Sequence, residues 1–184
     1  MKKILLLLSM VLYHNYSFSQ ENTPRILEIK KMYGEIIKLS TSNTSKQCKS
    51  GKRTDYEGLN EESKKFPFPQ TAELCRLSKD YSTYHAKFCG YEWHSDTTYY
   101  LKDNKIFFVF SSSNPESCKS EYRVYYDLNG KVIRILQKSD PDCDGSVASE
   151  NSIEIKDKVE MKSIVNSINS DFSKLLKILD NSKK

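Results

Sequence analysis

Beyond its first twenty residues the chain has no apolar run long enough to cross a bilayer, which takes about 20 consecutive apolar residues, so no membrane-spanning helix is expected. No cysteine follows that N-terminal stretch closely, the first being Cys48, which argues against a lipoprotein anchor. Nor is there an excess of one charge. The 29 Lys+Arg stand against 24 Asp+Glu and are scattered, so nucleic acid is not an expected partner. The spacings G-x-S-x-G, H-E-x-x-H and S-x-x-K are all missing, and with them the familiar signatures of serine hydrolases, zinc peptidases and β-lactamase-type enzymes.

What is present begins with MKKILLLLSMVLYHNYSFSQ. Lys2 and Lys3 form a basic start, Ile4 to Leu12 an apolar run broken by Ser9, and Ser17 and Ser19 a small-x-small cleavage site. This is the layout of a cleaved signal peptide over residues 1–19, and it predicts a secreted or periplasmic protein. Residues 20–184 then make one domain, in which 27 Lys+Arg face 24 Asp+Glu, a net charge of +3 in place of +5. In an oxidising compartment Cys48, Cys75, Cys89, Cys118 and Cys143 read first as disulfides. Five is odd, and two bridges among them can be drawn in about 15 ways.

Thr23-Pro24 opens a helix, and Ile26, Ile29, Tyr33, Ile36 and Ile37 recur at helical spacing over roughly 24–39. Residues 40–69 are rich in Ser, Thr, Lys, Asn and Glu and read as a long solvated loop, and residues 71–79 as a short helix carrying Cys75. Residues 97–110 and 123–136 align without a gap at an offset of 26, each copy an aromatic strand, a turn and a second apolar strand. Asn129-Gly130 is a strong signal for a two-residue type I′ turn, and Asp103-Asn104 a weaker one. Pairing across Asn129-Gly130 sets Tyr126 opposite Ile133, Val124 opposite Ile135 and Tyr122 opposite Gln137, with Arg123, Tyr125, Asp127, Arg134 and Leu136 on the other face. Continued outward, that register predicts a Cys118–Cys143 bridge, with Cys75–Cys89 as the next choice. Asp157 and Glu160 cap a final helix whose apolar stripe runs from Met161 to Leu179. The expected fold class is α+β: an antiparallel meander of about four or more strands flanked by an N-terminal and a long C-terminal helix, both laid on one face of the sheet.

Candidate chemistry is sparse. Asp140, Asp142 and Asp144 with Gly145 match the first half of an EF-hand-type loop and suggest a weak calcium site, although Asn151 stands where a bidentate Glu belongs; otherwise no cofactor is expected. Cys75, His85, Cys89 and His94 supply zinc-type ligands at no compact spacing. Cys89 with His85 or His94, and Asp96 as orienter, is the single nucleophile group within one stretch, and it defines the alternative of a secreted hydrolase.

The aromatic surplus points elsewhere. Regular alternation in the first hairpin puts Tyr100, Phe107 and Val109 on one face and Tyr99, Ile106, Phe108 and Phe110 on the other. Tyr99, Phe108 and Phe110, extended by Arg123, Tyr125 and Arg134, form a candidate binding patch. The hairpins YYLKDNKIFFVF and RVYYDLNGKVIRIL, with the FSQ-type signal end, resemble uncharacterised small secreted proteins of Bacteroidota-like bacteria, in which YYxxNGKxIRxL-type strands recur ahead of a C-terminal helix. That resemblance implies export and the hairpin architecture, and transfers no functional residues. The reading as a whole is a non-enzymatic binding protein for a protein or envelope-component partner, of inhibitor or immunity type, with its oligomeric state open.

Overall fold

The computed structural model describes residues 23–42, 46–57, 66–115, 118–140 and 152–181. Within them the order is α1 (Thr23–Thr41), β1 (Gln47–Glu57), β2 (Phe66–Arg76), β3 (Tyr81–Cys89), β4 (Trp93–Lys102), β5 (Lys105–Pro115), β6 (Ser120–Tyr126), β7 (Val132–Ser139), β8 (Ile153–Glu154) and α2 (Lys158–Asn181). The strands form one eight-stranded antiparallel sheet in sequence order. The α+β meander between two helices is as expected, and no described helix is long and apolar enough to cross a membrane. The signal segment 1–19 lies outside the described residues.

Two expectations fail in the N-terminal half. Half of the supposed loop over 40–69 belongs to the strands β1 and β2, paired from Gln47↔Arg76 to Glu57↔Phe66, and the supposed helix over 71–79 is the end of β2 and the turn after it. β1 escapes hydrophobic-pattern reading because it is the sheet's edge, and edge strands carry the Lys and Arg that discourage pairing with other chains, here Lys49, Lys52 and Arg53. Pro67 and Pro69 are tolerated in β2 because its pairing with β3 starts only at Thr71↔Lys87, so they face no ladder on that side. Cys48 and Cys75 are direct cross-strand partners with Cα atoms 4.1 Å apart, and they form the disulfide. The Cys75–Cys89 pairing is thereby overturned, and Cys89 is free. Cys118 is also free, against the expected Cys118–Cys143 bridge; Cys143 itself lies outside the described residues.

The helices lie on opposite faces, not on one. α1 buries Ile26, Ile29, Met32 and Ile36 against Tyr100, Phe107, Phe108 and Tyr125. α2 buries Ile168, Leu175, Ile178 and Leu179 against Phe88, Tyr99, Val109, Val124, Tyr126 and Ile135. Both faces of the central strands are apolar, so each needs a cover.

Two one-residue bulges decide which side chain meets which helix. Asp103 and Asn104 both have positive φ, 51° and 62°, as a type I′ turn requires, and Leu101 faces Ile106. Tyr100 then faces Phe108, leaving Phe107 as the extra residue. Phe107 and Phe108 therefore both point toward α1, and Tyr99 pairs with Val109 on the α2 side, separated from Phe108 and Phe110. In the second hairpin only Gly130 has positive φ (79°), and the expected two-residue turn is a longer one. Asp127 Oδ1 accepts from the Asn129 and Lys131 N–H groups at 2.9 and 2.8 Å, and Lys131 O from the Asp127 N–H at 2.9 Å. That side-chain clamp selects a turn with one left-handed residue, which glycine supplies. Tyr126 then faces Val132 and Tyr125 faces Arg134, with Ile133 extra; Val124–Ile135 and Tyr122–Gln137 pair as expected.

α2 is capped as its sequence implies, with Asp157 Oδ1 accepting from the Val159 and Glu160 N–H groups at 3.0 and 2.8 Å. It is tied to the sheet by the hydroxyl of fully buried Tyr99, which donates to Ile168 O at 2.7 Å, and by Lys49 Nζ on Leu179 O. Gly51 lies directly against α2: a Cβ there would sit 2.7 Å from the Ile178 carbonyl oxygen. Gly51→Val is expected to lower unfolding free energy by about 1–3 kcal/mol, read as a shifted urea midpoint, because helix backbone would have to move. Alkali gives a second check. Burial pushes the Tyr126 phenol up to about 12, and the buried Tyr99 phenol up as well. Unfolded tyrosines ionise near pH 10, so this stability is whole below about pH 10 and is lost as pH rises toward 12. The urea midpoint should fall across that window, and Tyr126→Phe should flatten the fall.

Candidate functional site

On the α1 face the register lines side chains into rows across the sheet. One row is Tyr100, Phe108, Tyr125 and Arg134; the next is Thr98, Phe110, Arg123 and Leu136; the third is Asp96, Ser112, Glu121 and Lys138. α1 packs over the first. Tyr33 of that helix meets Tyr100 and Phe108 edge-on at 5.1 and 5.4 Å, and Phe108 lies 5.1 Å from Tyr125. The second row emerges at the flank of α1 and leaves a cleft of about 300 Å³, lined by Ile29, Lys30, Tyr33, Phe108, Phe110, Arg123 and Tyr125.

The floor of this cleft is apolar and aromatic, and its charged lining is cationic. Arg123 is held in place: one guanidinium nitrogen donates to Ser152 Oγ at 2.8 Å, another lies 3.6 Å from Glu121 Oε2, and the group stands 5.9 Å from the Phe110 ring centroid. Lys119, 2.8 Å from Glu121, holds that carboxyl below the usual carboxylate range, so it is ionised at neutral pH. Burial raises the Tyr125 phenol, with Arg123 and Arg134 pulling the other way, and the hydroxyl stays a neutral donor. Lys30 makes no ion pair among the described residues.

Phe108, Phe110, Arg123 and Tyr125 of the expected patch converge on this cleft. Arg134 shares the face one strand beyond Tyr125 and pairs with Glu154 at 3.0 Å. Tyr99 does not belong to the site: the β5 bulge turns it to the opposite face, under α2. Lys30 and Tyr33 were not anticipated as site residues. Tyr33 was legible as part of the α1 apolar stripe, and Lys30 three positions before it marks the border of that stripe.

The other candidates are brought together only in pairs, His85 with Asp96 and Cys89 with His94, and not as one group. His85 Nε2 lies 2.8 Å from Asp96 Oδ1, but Cys89 is four residues along the same strand, about 13 Å away at the usual rise. His94 is the cross-strand partner of Cys89 and is exposed. The base with its orienter is thus separated from the nucleophile. Cys75 spends its thiol in the disulfide, which removes it from the zinc set; Glu73 lies within 4.8 Å of both bridge sulfurs, which offer no thiolate while the bridge is closed. Asp140 is exposed and extends the β6–β7 ladder through its N–H to Lys119 O at 2.9 Å, while Asp142 and Asp144 of the calcium motif lie outside the described residues. Compared with protein families, curated proteins and solved structures, the chain finds no match in any of the three.

The strand register makes a direct chemical prediction. Alkylation followed by non-reducing peptide mapping should recover Cys48 and Cys75 in one linked pair and Cys89 as an alkylated thiol. A Cys75–Cys89 link would contradict the pairing of β2 with its neighbours.

Proposed function

We propose that this is an exported, non-enzymatic binding protein that engages a protein or an envelope component, in the manner of an inhibitor, an immunity protein or an assembly factor. The observation that carries the reading is the cleft itself, where α1 and the strands β5 and β6, distant from it in sequence, bring Tyr33, Phe108, Phe110 and Tyr125 beside Lys30 and Arg123. A concave apolar floor with a few fixed polar groups is the usual form of a recognition site, and aromatic residues with Arg are the usual anchors. The Cys48–Cys75 disulfide is compatible with work in a periplasm or outside the cell. The separation of His85 from Cys89 supports binding over hydrolysis.

Affinity capture from envelope extracts tests this. A component retained by the wild-type chain should be retained about tenfold less by Phe110→Ala and by Arg123→Gln, with melting temperatures changed by only a few degrees, and His85→Ala should retain it fully. Retention indifferent to both cleft substitutions would reject the cleft as the contact site.

A further inference from the structure

We infer that the cleft takes a small amphiphilic monoanion, a carboxylate on an aliphatic or aromatic body, so that the partner of the proposed function is an envelope-type amphiphile and not a folded protein. This rests on the cleft being the contact site proposed above. The charge comes from the lining. Lys30 and Arg123 are its charged members and no carboxylate lines it, while Glu121, 3.6 Å from Arg123, already takes part of the guanidinium's charge. Lys119, 2.8 Å from Glu121, shares that carboxylate, so the mouth of the cleft stays cationic for an anionic head. A phosphate dianion would add a second negative charge beside the ionised Glu121.

The body comes from the floor. Phe108, Phe110 and Tyr125 give an apolar surface in about 300 Å³, room for a chain of roughly eight to a dozen heavy atoms. Arg123 is pinned by Ser152 and stacked toward Phe110, so its remaining donors are fixed at the boundary between apolar floor and solvent, where a carboxylate head would sit. The next row, Asp96, Ser112, Glu121 and Lys138, is polar and charged, so the apolar surface on offer is confined to the cleft and fits a small body better than a broad interface.

The test is a titration of the purified chain, its Cys48–Cys75 bridge intact, with octanoate, octanol and octyl phosphate, followed by backbone amide shifts of Lys30, Phe110 and Arg123. Octanoate should saturate with shifts at those amides. Octanol and octyl phosphate should bind at least about tenfold more weakly. Arg123→Gln should bring octanoate down to the level of octanol, and Lys30→Gln, on the exposed side of α1, should weaken octanoate alone even if Arg123→Gln disturbs the fold. Octanol or octyl phosphate binding as tightly as octanoate, saturation at other amides, or no saturation would each overturn the inference. If octanoate fails while cleft-dependent capture from extracts succeeds with a protein, the proposed function stands and its partner is that protein. If both fail, both are wrong.

Discussion

One extra residue in β5 decides what each helix meets. With Phe107 inserted opposite the Tyr100–Leu101 step, Phe107 and Phe108 both face α1 and the alternation after them is reset. Because side chains alternate with a period of two, a slip of one residue exchanges the faces of everything beyond it. Tyr99 is thereby delivered to α2, where its hydroxyl reaches Ile168 O, and Phe110 to the flank of α1, where it meets Arg123. Without the bulge Phe110 would share a face with Tyr99, and the cleft would lose its outer wall.

The bulge in β7 completes the arrangement. Ile133 is the counterpart of Phe107 at the offset of 26, and in both copies the second strand presents an equivalent pattern: Phe107, Phe108 and Phe110 toward α1 in one, Ile133, Arg134 and Leu136 in the other. The first strands do not correspond. Tyr100 faces α1 and its counterpart Tyr126 faces α2, because the Asp127-clamped turn is longer than the Asp103-Asn104 turn. The repeat is thus one of sequence with a deliberate difference in geometry, and the difference places Tyr125, in place of a second Tyr100, in the cleft.

Strong periodicity made both helices and the four strands β4 to β7 legible in the sequence, since each carries its own apolar pattern, and the Asp157 cap of α2 was legible beside them. β1 was illegible because an edge strand can be polar throughout, and β2 because two prolines argue against a strand unless its outer side is known to be unpaired. The disulfide followed from that misreading: Cys48 and Cys75 become neighbours only once β1 and β2 are strands. Four cleft residues were legible as a surplus of aromatics and arginines beyond what one core face needs. Tyr99 was misplaced by the bulge, for which no residue type gives a reliable signal, and Lys30 and Tyr33 by the need to know which helix face lies over which row.

The contact between α2 and β1 has a kinetic side. Every strand pairs with its neighbour in sequence, so sheet formation requires only short loop closures. α2 is different: Lys49 meets Leu179 and Gly51 meets Ile178 across most of the chain's length, and α2 follows all eight strands. α1 also closes over a long span, from Arg25 to Tyr126 O, but needs only the strands up to β6, whereas α2 comes after all eight, and until it docks the apolar face around Tyr99 and Val109 stays open to solvent. In that interval Lys49 and Lys52 of β1, on an edge of the sheet, work against its pairing with another copy.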